Sequence, residues 1–280
     1  MDSLVTTDWL ERELGAPDLR VVDASFFLPA DKRDARAEYE AEHIPGAVFL
    51  DIDEVADTAS PFPHMLPSEA KFASRMQTLG LRDGARIVVY DNSPLHSAAR
   101  AWWMLKAFGA HYAAILDGGL QKWKAEGRPL ESGRPQVRHG HFTPSLDCTA
   151  VADKDFVRSI LDDGRHEIVD ARGAARFAGE EAEPRPGLAA GHMPGAKNLP
   201  QGQLFNPDNS WKRGDALRAA FAAAGVDLAK PMVTTCGSGV TAAVLLFGAH
   251  LLGKEDVRLY DGSWSEWGAD PALPKATGRA

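Results

Sequence analysis

Apolar residues along the 280-residue chain fall into two kinds of run. Short runs rich in Val, Ile and Ala, with no alternating polar positions, occur as RVVDA (20–24), RIVVYD (86–91) and AAILD (113–117), and again as EIVDA (167–171), MVTT (232–235) and VRLYD (257–261). That pattern predicts strands buried on both faces. Between them, residues 68–79, 97–108, 215–224 and 241–252 read as helices; the first opens with Ser68 as N-cap after Pro67, and the second closes on Gly109. Strand and helix alternate throughout, which predicts an α/β fold of mainly parallel sheets flanked by α-helices.

The pattern is also duplicated. RVVDAS at 20–25 returns as EIVDAR at 167–172, HIPGA at 43–47 as HMPGA at 192–196, and LDGGLQKW at 116–123 as YDGSWSEW at 260–267. The offsets are 147 from Asp23 to Asp170, 149 from His43 to His192, and 144 from both Gly109 to Gly253 and Trp123 to Trp267. Order is kept and the shift drifts little, so one domain of roughly 140 residues is used twice; the period is too long for a solenoid. Residues 128–149 hold three prolines and little periodicity. The expected division is therefore a first domain at 1–130, a linker at 131–149 and a second domain at 150–280.

Composition narrows the partners. The net charge is −8 and no run of five Lys/Arg occurs, which speaks against nucleic acid or an anionic membrane as partner. The N-terminal stretch MDSLVTTDWLERELG has neither the basic nor the apolar region of a secretory signal, and no apolar run approaches the length of a membrane span, so a cytoplasmic protein is expected. Two cysteines, Cys148 and Cys236, make no disulfide framework and no four-thiolate metal site.

Cys236 stands at the end of a predicted strand, followed by Gly237, Ser238, Gly239, Val240 and Thr241 and then an apolar helix. Ligands of such sheets bind beyond the carboxyl ends of the strands. Glycines there let the backbone bend so that successive N–H groups face one centre, where they and the helix start would stabilise an anion at the sulfur. Other chemistries fit less well. GSGVTA matches the loose dinucleotide fingerprint, with Asp256 as ribose acid, but lies far into the chain and has no glycine counterpart in DNSPLHSA (91–98). A cysteine phosphatase needs an Arg six residues on, where Ala242 stands, and the one His after Cys236 is His250, deep in the predicted helix.

CGSGVTA resembles the active-site loop of the 3-mercaptopyruvate sulfurtransferases, within the rhodanese superfamily of tandem-domain sulfur carriers; the duplicated DA, HxPGA and DGxxxxW landmarks extend the resemblance from about residue 4 to 268. It implies two tandem rhodanese-like domains with the catalytic cysteine in the second. Thiosulfate-using members tend to carry basic residues in the six-residue loop, and 236–241 has none. RFAGEEAEPRPG (176–187) resembles the family segment whose arginines, here Arg176 and Arg185, hold the substrate carboxylate and keto oxygen. LDIDEVADTASPFPHML (50–66) resembles elements that reach the catalytic loop, implying a relay of Asp53, Ser238 and Cys236 with His64 nearby. Read alone, Asp53 is equally a helix cap, Ser238 a loop stabiliser, and the arginines surface partners of Glu180, Glu181 and Glu183. Asp91 aligns with Cys236, so the first copy carries no nucleophile. His43 and His192, present in both copies, are expected to be architectural, and Trp102, Trp103, Trp123, Trp264 and Trp267 to pack the helices.

The resemblance implies transfer of sulfur from 3-mercaptopyruvate through a Cys236 persulfide to cyanide, a small thiol or a thioredoxin-like protein, with release of pyruvate. The loop N–H groups of 237–241 would cradle the outer sulfur. No metal or organic cofactor is expected, and a monomer suffices because the duplication supplies two domains in one chain. The competing readings are a thiosulfate:cyanide sulfurtransferase and a non-catalytic binding module of the same fold.

Overall fold

The computed structural model describes residues 1–279. The chain forms two compact units: the first holds Met1–Ala56, Pro67–Asp147 and Phe205–Trp211, the second Asp57–Leu66, Cys148–Leu204 and the chain from Lys212 onward. In the first, strands β1 (Leu4–Val5), β2 (Leu19–Asp23), β3 (Val48–Phe49), β4 (Arg86–Tyr90) and β5 (Ala113–Leu116) form one sheet in the order β1-β5-β4-β2-β3. Its helices are α1 (Thr7–Glu13), α2 (Ala35–Ala41), α3 (Ile52–Val55), α4 (Glu69–Thr78), α5 (Ala98–Ala107) and α6 (Gly119–Ala125). The second unit repeats the plan with β6 (Val151–Ala152), β7 (Glu167–Asp170), β8 (Lys197–Asn198), β9 (Met232–Thr235) and β10 (Val257–Tyr260) in the order β6-β10-β9-β7-β8. Its helices are α7 (Lys154–Ile160), α8 (Ala174–Ala178), α9 (Gly214–Ala223), α10 (Ala242–Leu251) and α11 (Ser263–Trp267). Every strand pairing in both sheets is parallel.

The six apolar runs are the inner strands, buried on both faces: Ile87, Val88, Val89 and Tyr90 of β4 are all but inaccessible. Helix limits follow local chemistry. The Ser68 hydroxyl accepts the Lys71 N–H and caps α4. After α5 and α10 the chain turns through Gly109 and Gly253 at φ +91° and +79°, left-handed backbone that glycine reaches without a Cβ penalty. Helix α10 is apolar all round and buried along nearly its whole length. Among the described residues no helix is long and apolar enough to cross a membrane.

The repeated landmarks are structural. The five tryptophans Trp102, Trp103, Trp123, Trp264 and Trp267 are buried, and four of them donate their indole N–H to the carbonyls of Ala113, Pro129, Ala189 and Pro274. His43 Nδ1 lies 2.8 Å from the Tyr39 carbonyl oxygen and His192 Nδ1 2.8 Å from that of Phe177. A carbonyl only accepts, so each Nδ1 carries the proton, and each ring stacks on the aromatic side chain of the same partner. The stretch 131–149 is not a free connection. As far as Asp147 it packs along the first unit, with Phe142 buried, Thr143 bonded to Asp83, and the Ser145 and Asp147 N–H groups given to Phe108 and Ala107. Its prolines mark irregular backbone rather than looseness.

Candidate active site

Cys236 follows β9, the middle strand of the second sheet, and is 2% exposed. Its backbone is held by the first turn of α11: the Cys236 N–H donates to Ser263 Oγ at 3.2 Å, the Trp264 N–H to the Cys236 carbonyl at 3.0 Å, and the Ser265 N–H to the Gly237 carbonyl at 2.9 Å. The two loop glycines serve different ends. Gly239 has φ +81° and supplies the bend. Gly237 has ordinary φ, but a Cβ there would lie 3.2 Å from Arg176 Nη2; the missing side chain lets a guanidinium rest against the loop.

Arg176 comes from α8, which begins just beyond the carboxyl end of β7, and β7 pairs with β9 through Asp170 opposite Thr235. Its Nη2 donates to Glu183 Oε2 at 2.5 Å, and its Nε is buried without a hydrogen-bond partner among the described residues. The Glu183 side chain is 2% exposed and also accepts from Arg172 Nη1 at 2.6 Å. Arg172 in turn binds both carboxylate oxygens of Asp170 and the Gly191 carbonyl and lies 4.5 Å over the Trp264 ring. Burial opposes its charge, yet Asp170 and Glu183 more than compensate and raise its pKa. Asp170, Arg172, Glu183 and Arg176 thus alternate in sign from the sheet to the loop, so that each buried charge is paired, as such charges must be. Glu183 is thus a buried partner rather than a surface counter-ion, and the change from DAS (23–25) to DAR (170–172) between the copies is the sequence signal for Arg172.

The segment Asp57–Leu66 belongs to this second unit. It is pinned by Leu66 N–H to Asp261 Oδ2 at 2.6 Å and by Asp57 N–H to the Met65 carbonyl. Within it His64 adopts φ +61°, and its Nδ1 lies 2.8 Å from Ser238 Oγ, with both side chains buried. Cys236, Ser238, His64 and Arg176 are therefore gathered in one unit. Val240 is buried, Thr241 half-buried at the start of α10, and Arg185 half-buried in the loop after α8. Asp53 is exposed on α3 of the first unit. The cap of that helix is Asp51, whose Oδ1 accepts the N–H groups of Asp53 and Glu54.

The first copy shows what such a loop does to an anionic side chain. Asp91 stands after β4 as Cys236 stands after β9, and its carboxylate accepts the N–H groups of Ser93 at 2.9 Å and Ala98 at 2.7 Å. Burial, only partly offset by those two donors, pushes its pKa up to about 7. Around it remains a cavity of about 20 Å³, lined by residues that include Ser93, His96 and Trp211, room for one water and no substrate. His96 stacks on Phe205 with centroids 3.4 Å apart, and the Trp211 N–H donates to Asp117.

The rhodanese-like domain profile matches residues 6–126 and 153–270. The chain is 43% identical over 271 residues to human 3-mercaptopyruvate sulfurtransferase, covering 95% of this chain and 91% of that protein. It is 41% identical over 272 residues to the thiosulfate sulfurtransferase of Cricetulus griseus, with 95% and 91% covered. Among solved structures, SseA from Escherichia coli, described as a 3-mercaptopyruvate sulfotransferase, matches at TM-score 0.87 and 40% identity, covering 94% of this chain and 99% of that one.

Proposed function

The chain belongs to the rhodanese-like family, which it contains in two copies, and from that membership we propose that it is a sulfurtransferase taking sulfur from 3-mercaptopyruvate through a persulfide on Cys236. The observation that carries the donor assignment is the place of the cation. Residues 236–241 carry no charge of their own, and the neighbouring cation, Arg176 with its unpartnered Nε, is supplied from α8 outside the loop. Thiosulfate, a compact dianion, rewards cations within the loop; an α-keto acid needs them at the far end of the molecule from its sulfur.

Arg176 and Arg185 hold the carboxylate and keto oxygen, a bidentate task suited to guanidinium. The Cys236 thiolate attacks the donor sulfur. A sulfur–sulfur bond forms as the carbon–sulfur bond breaks, and the electron pair leaves on carbon as the pyruvate enolate. That carbon takes a proton relayed through Ser238, whose hydroxyl shares a hydrogen bond with His64, and the proton of the donor thiol, given up as the persulfide becomes an anion, replaces it; Asp53 is assigned to the same relay on the family pattern. The N–H groups of 237–241 hold the outer sulfur, as those of Ser93 and Ala98 hold the Asp91 carboxylate in the first copy. A thiol, cyanide or thioredoxin-like acceptor then attacks the outer sulfur, and the pair of the breaking S–S bond returns to Cys236. We place the reaction in the cytoplasm, where both free cysteines stay reduced, in a monomer.

The likeness to a thiosulfate sulfurtransferase makes that donor the competing reading. Steady-state kinetics with both donors, in wild type, Arg176→Ala and Arg185→Ala, decides between them. The expected result is a higher kcat/KM for 3-mercaptopyruvate and a loss of about ten- to a hundredfold in each variant, mainly through KM. A higher kcat/KM for thiosulfate, or variants at full activity, would overturn the assignment.

A further inference from the structure

The duplication provides an internal control for what the nucleophile needs, because both copies carry the same turn beneath the strand-end residue. In the first copy, Gly119 follows Asp117 and Gly118 at φ +58°, and a Cβ there would come within 2.5 Å of the Asp91 carbonyl oxygen. In the second, the same place in YDGSWSEW is Ser263, at φ +48° and fully buried. The bond after it is common to both: Leu120 N–H to the Asp91 carbonyl and Trp264 N–H to the Cys236 carbonyl, each at 3.0 Å. A buried non-glycine residue in left-handed backbone is strained, and the copy without a nucleophile avoids that strain with glycine.

What the strained residue supplies is a hydroxyl. Ser263 Oγ donates its one proton to the Tyr260 carbonyl at 2.8 Å, which turns a lone pair toward the Cys236 N–H at 3.2 Å. Two residues on, Ser265 Oγ donates to the Gly237 carbonyl at 2.7 Å, where the first copy has Gln121. With the Trp264 and Ser265 N–H groups, the first turn of α11 holds three backbone groups, the Cys236 N–H, the Cys236 carbonyl and the Gly237 carbonyl. We propose that Ser263 is a positioning residue for the sulfur transfer proposed above: its hydroxyl fixes the Cys236 backbone so that the sulfur faces the loop N–H groups, and its left-handed strain is retained for that purpose. It touches no substrate and acts only through Cys236.

The inference rests on Cys236 being the nucleophile, and its test separates the two. Ser263→Gly removes both strain and hydroxyl; Ser263→Ala removes only the hydroxyl. If Ser263 positions Cys236, both variants lose kcat by about ten- to a hundredfold with KM within about twofold, and alkylation of the Cys236 peptide by iodoacetamide slows in both. Stability follows strain instead, so the thermal midpoint of Ser263→Gly lies about 2–4 °C above that of Ser263→Ala. Activity would then track the hydroxyl while stability tracks the backbone, a split that a purely structural residue does not give. Variants that match wild type within twofold in alkylation rate, or whose activity follows their midpoints, would overturn the proposal. If wild type releases no pyruvate from 3-mercaptopyruvate, the proposed function fails, and the alkylation comparison still decides the role of Ser263.

Discussion

Asp91 and Cys236 occupy one position in two copies of one fold, and the difference between them has a thermodynamic consequence. The buried Asp91 carboxyl has its pKa pushed up to about 7 by desolvation, with Asp23 adding repulsion, against about 3.9 for an unfolded aspartate. Between those values the folded chain binds more protons than the unfolded one, so this contribution to stability is full below about pH 4 and is lost as pH rises through about 7. His96 beside it works in the opposite direction: burial pulls its pKa down to about 4, so it weakens the fold as pH falls below its unfolded value. Asp91→Asn removes the first effect and leaves the second. Urea titrations at pH 5, 6, 7 and 8 should show the variant gaining on wild type by about 1.4 kcal/mol per pH unit up to about pH 7 and levelling off above it. A constant difference across that range would mean that Asp91 titrates normally.

At the scale of elements, α8 and the loop after it determine where Arg176 lies. Glu183 takes Arg172 on one oxygen and Arg176 on the other, so Glu183→Gln keeps the shape but removes the buried charge that holds the two cations together. The variant should melt lower and lose at least about tenfold in kcat/KM for 3-mercaptopyruvate, mainly in KM, because Arg176 loses its anchor. The alkylation rate of Cys236 should stay within about twofold of wild type; if it fell in step with KM, Glu183 would act on the cysteine loop rather than on Arg176. The elements themselves were legible to differing degrees. Inner strands and long helices announced themselves by unbroken apolar runs and caps such as Ser68. The two-residue edge strands β1, β3, β6 and β8 are too short to show a period, and a five-residue helix such as α8 or α11 spans little more than one turn. Ser263 was hidden for another reason: it lies in a landmark shared by both copies, which reads as architecture until its serine is set against Gly119.

For the whole molecule, the duplication and the acidic balance set the terms. A net charge of −8 does not by itself forbid an anionic substrate at the local positive site proposed for Arg176 and the N–H groups of 237–241. Cys236 was legible from its own neighbourhood, a strand end followed by two glycines and an apolar helix. His64 was not, because 174 residues separate it from Ser238 and no periodicity links them; family resemblance alone pointed to it, and the structure shows the segment Asp57–Leu66 grouped with the second unit. Cys148 is exposed and has no place in the proposed chemistry. The central claim is a persulfide on Cys236. Exposing the protein to one equivalent of 3-mercaptopyruvate without acceptor, then measuring the intact mass of the Cys236 and Cys148 peptides together with free pyruvate, tests it directly. The account predicts a gain of about 32 Da, one sulfur atom, on the Cys236 peptide alone, matched by one pyruvate per chain, and neither in Cys236→Ser. Pyruvate release without that mass gain, or release that survives Cys236→Ser, would contradict it.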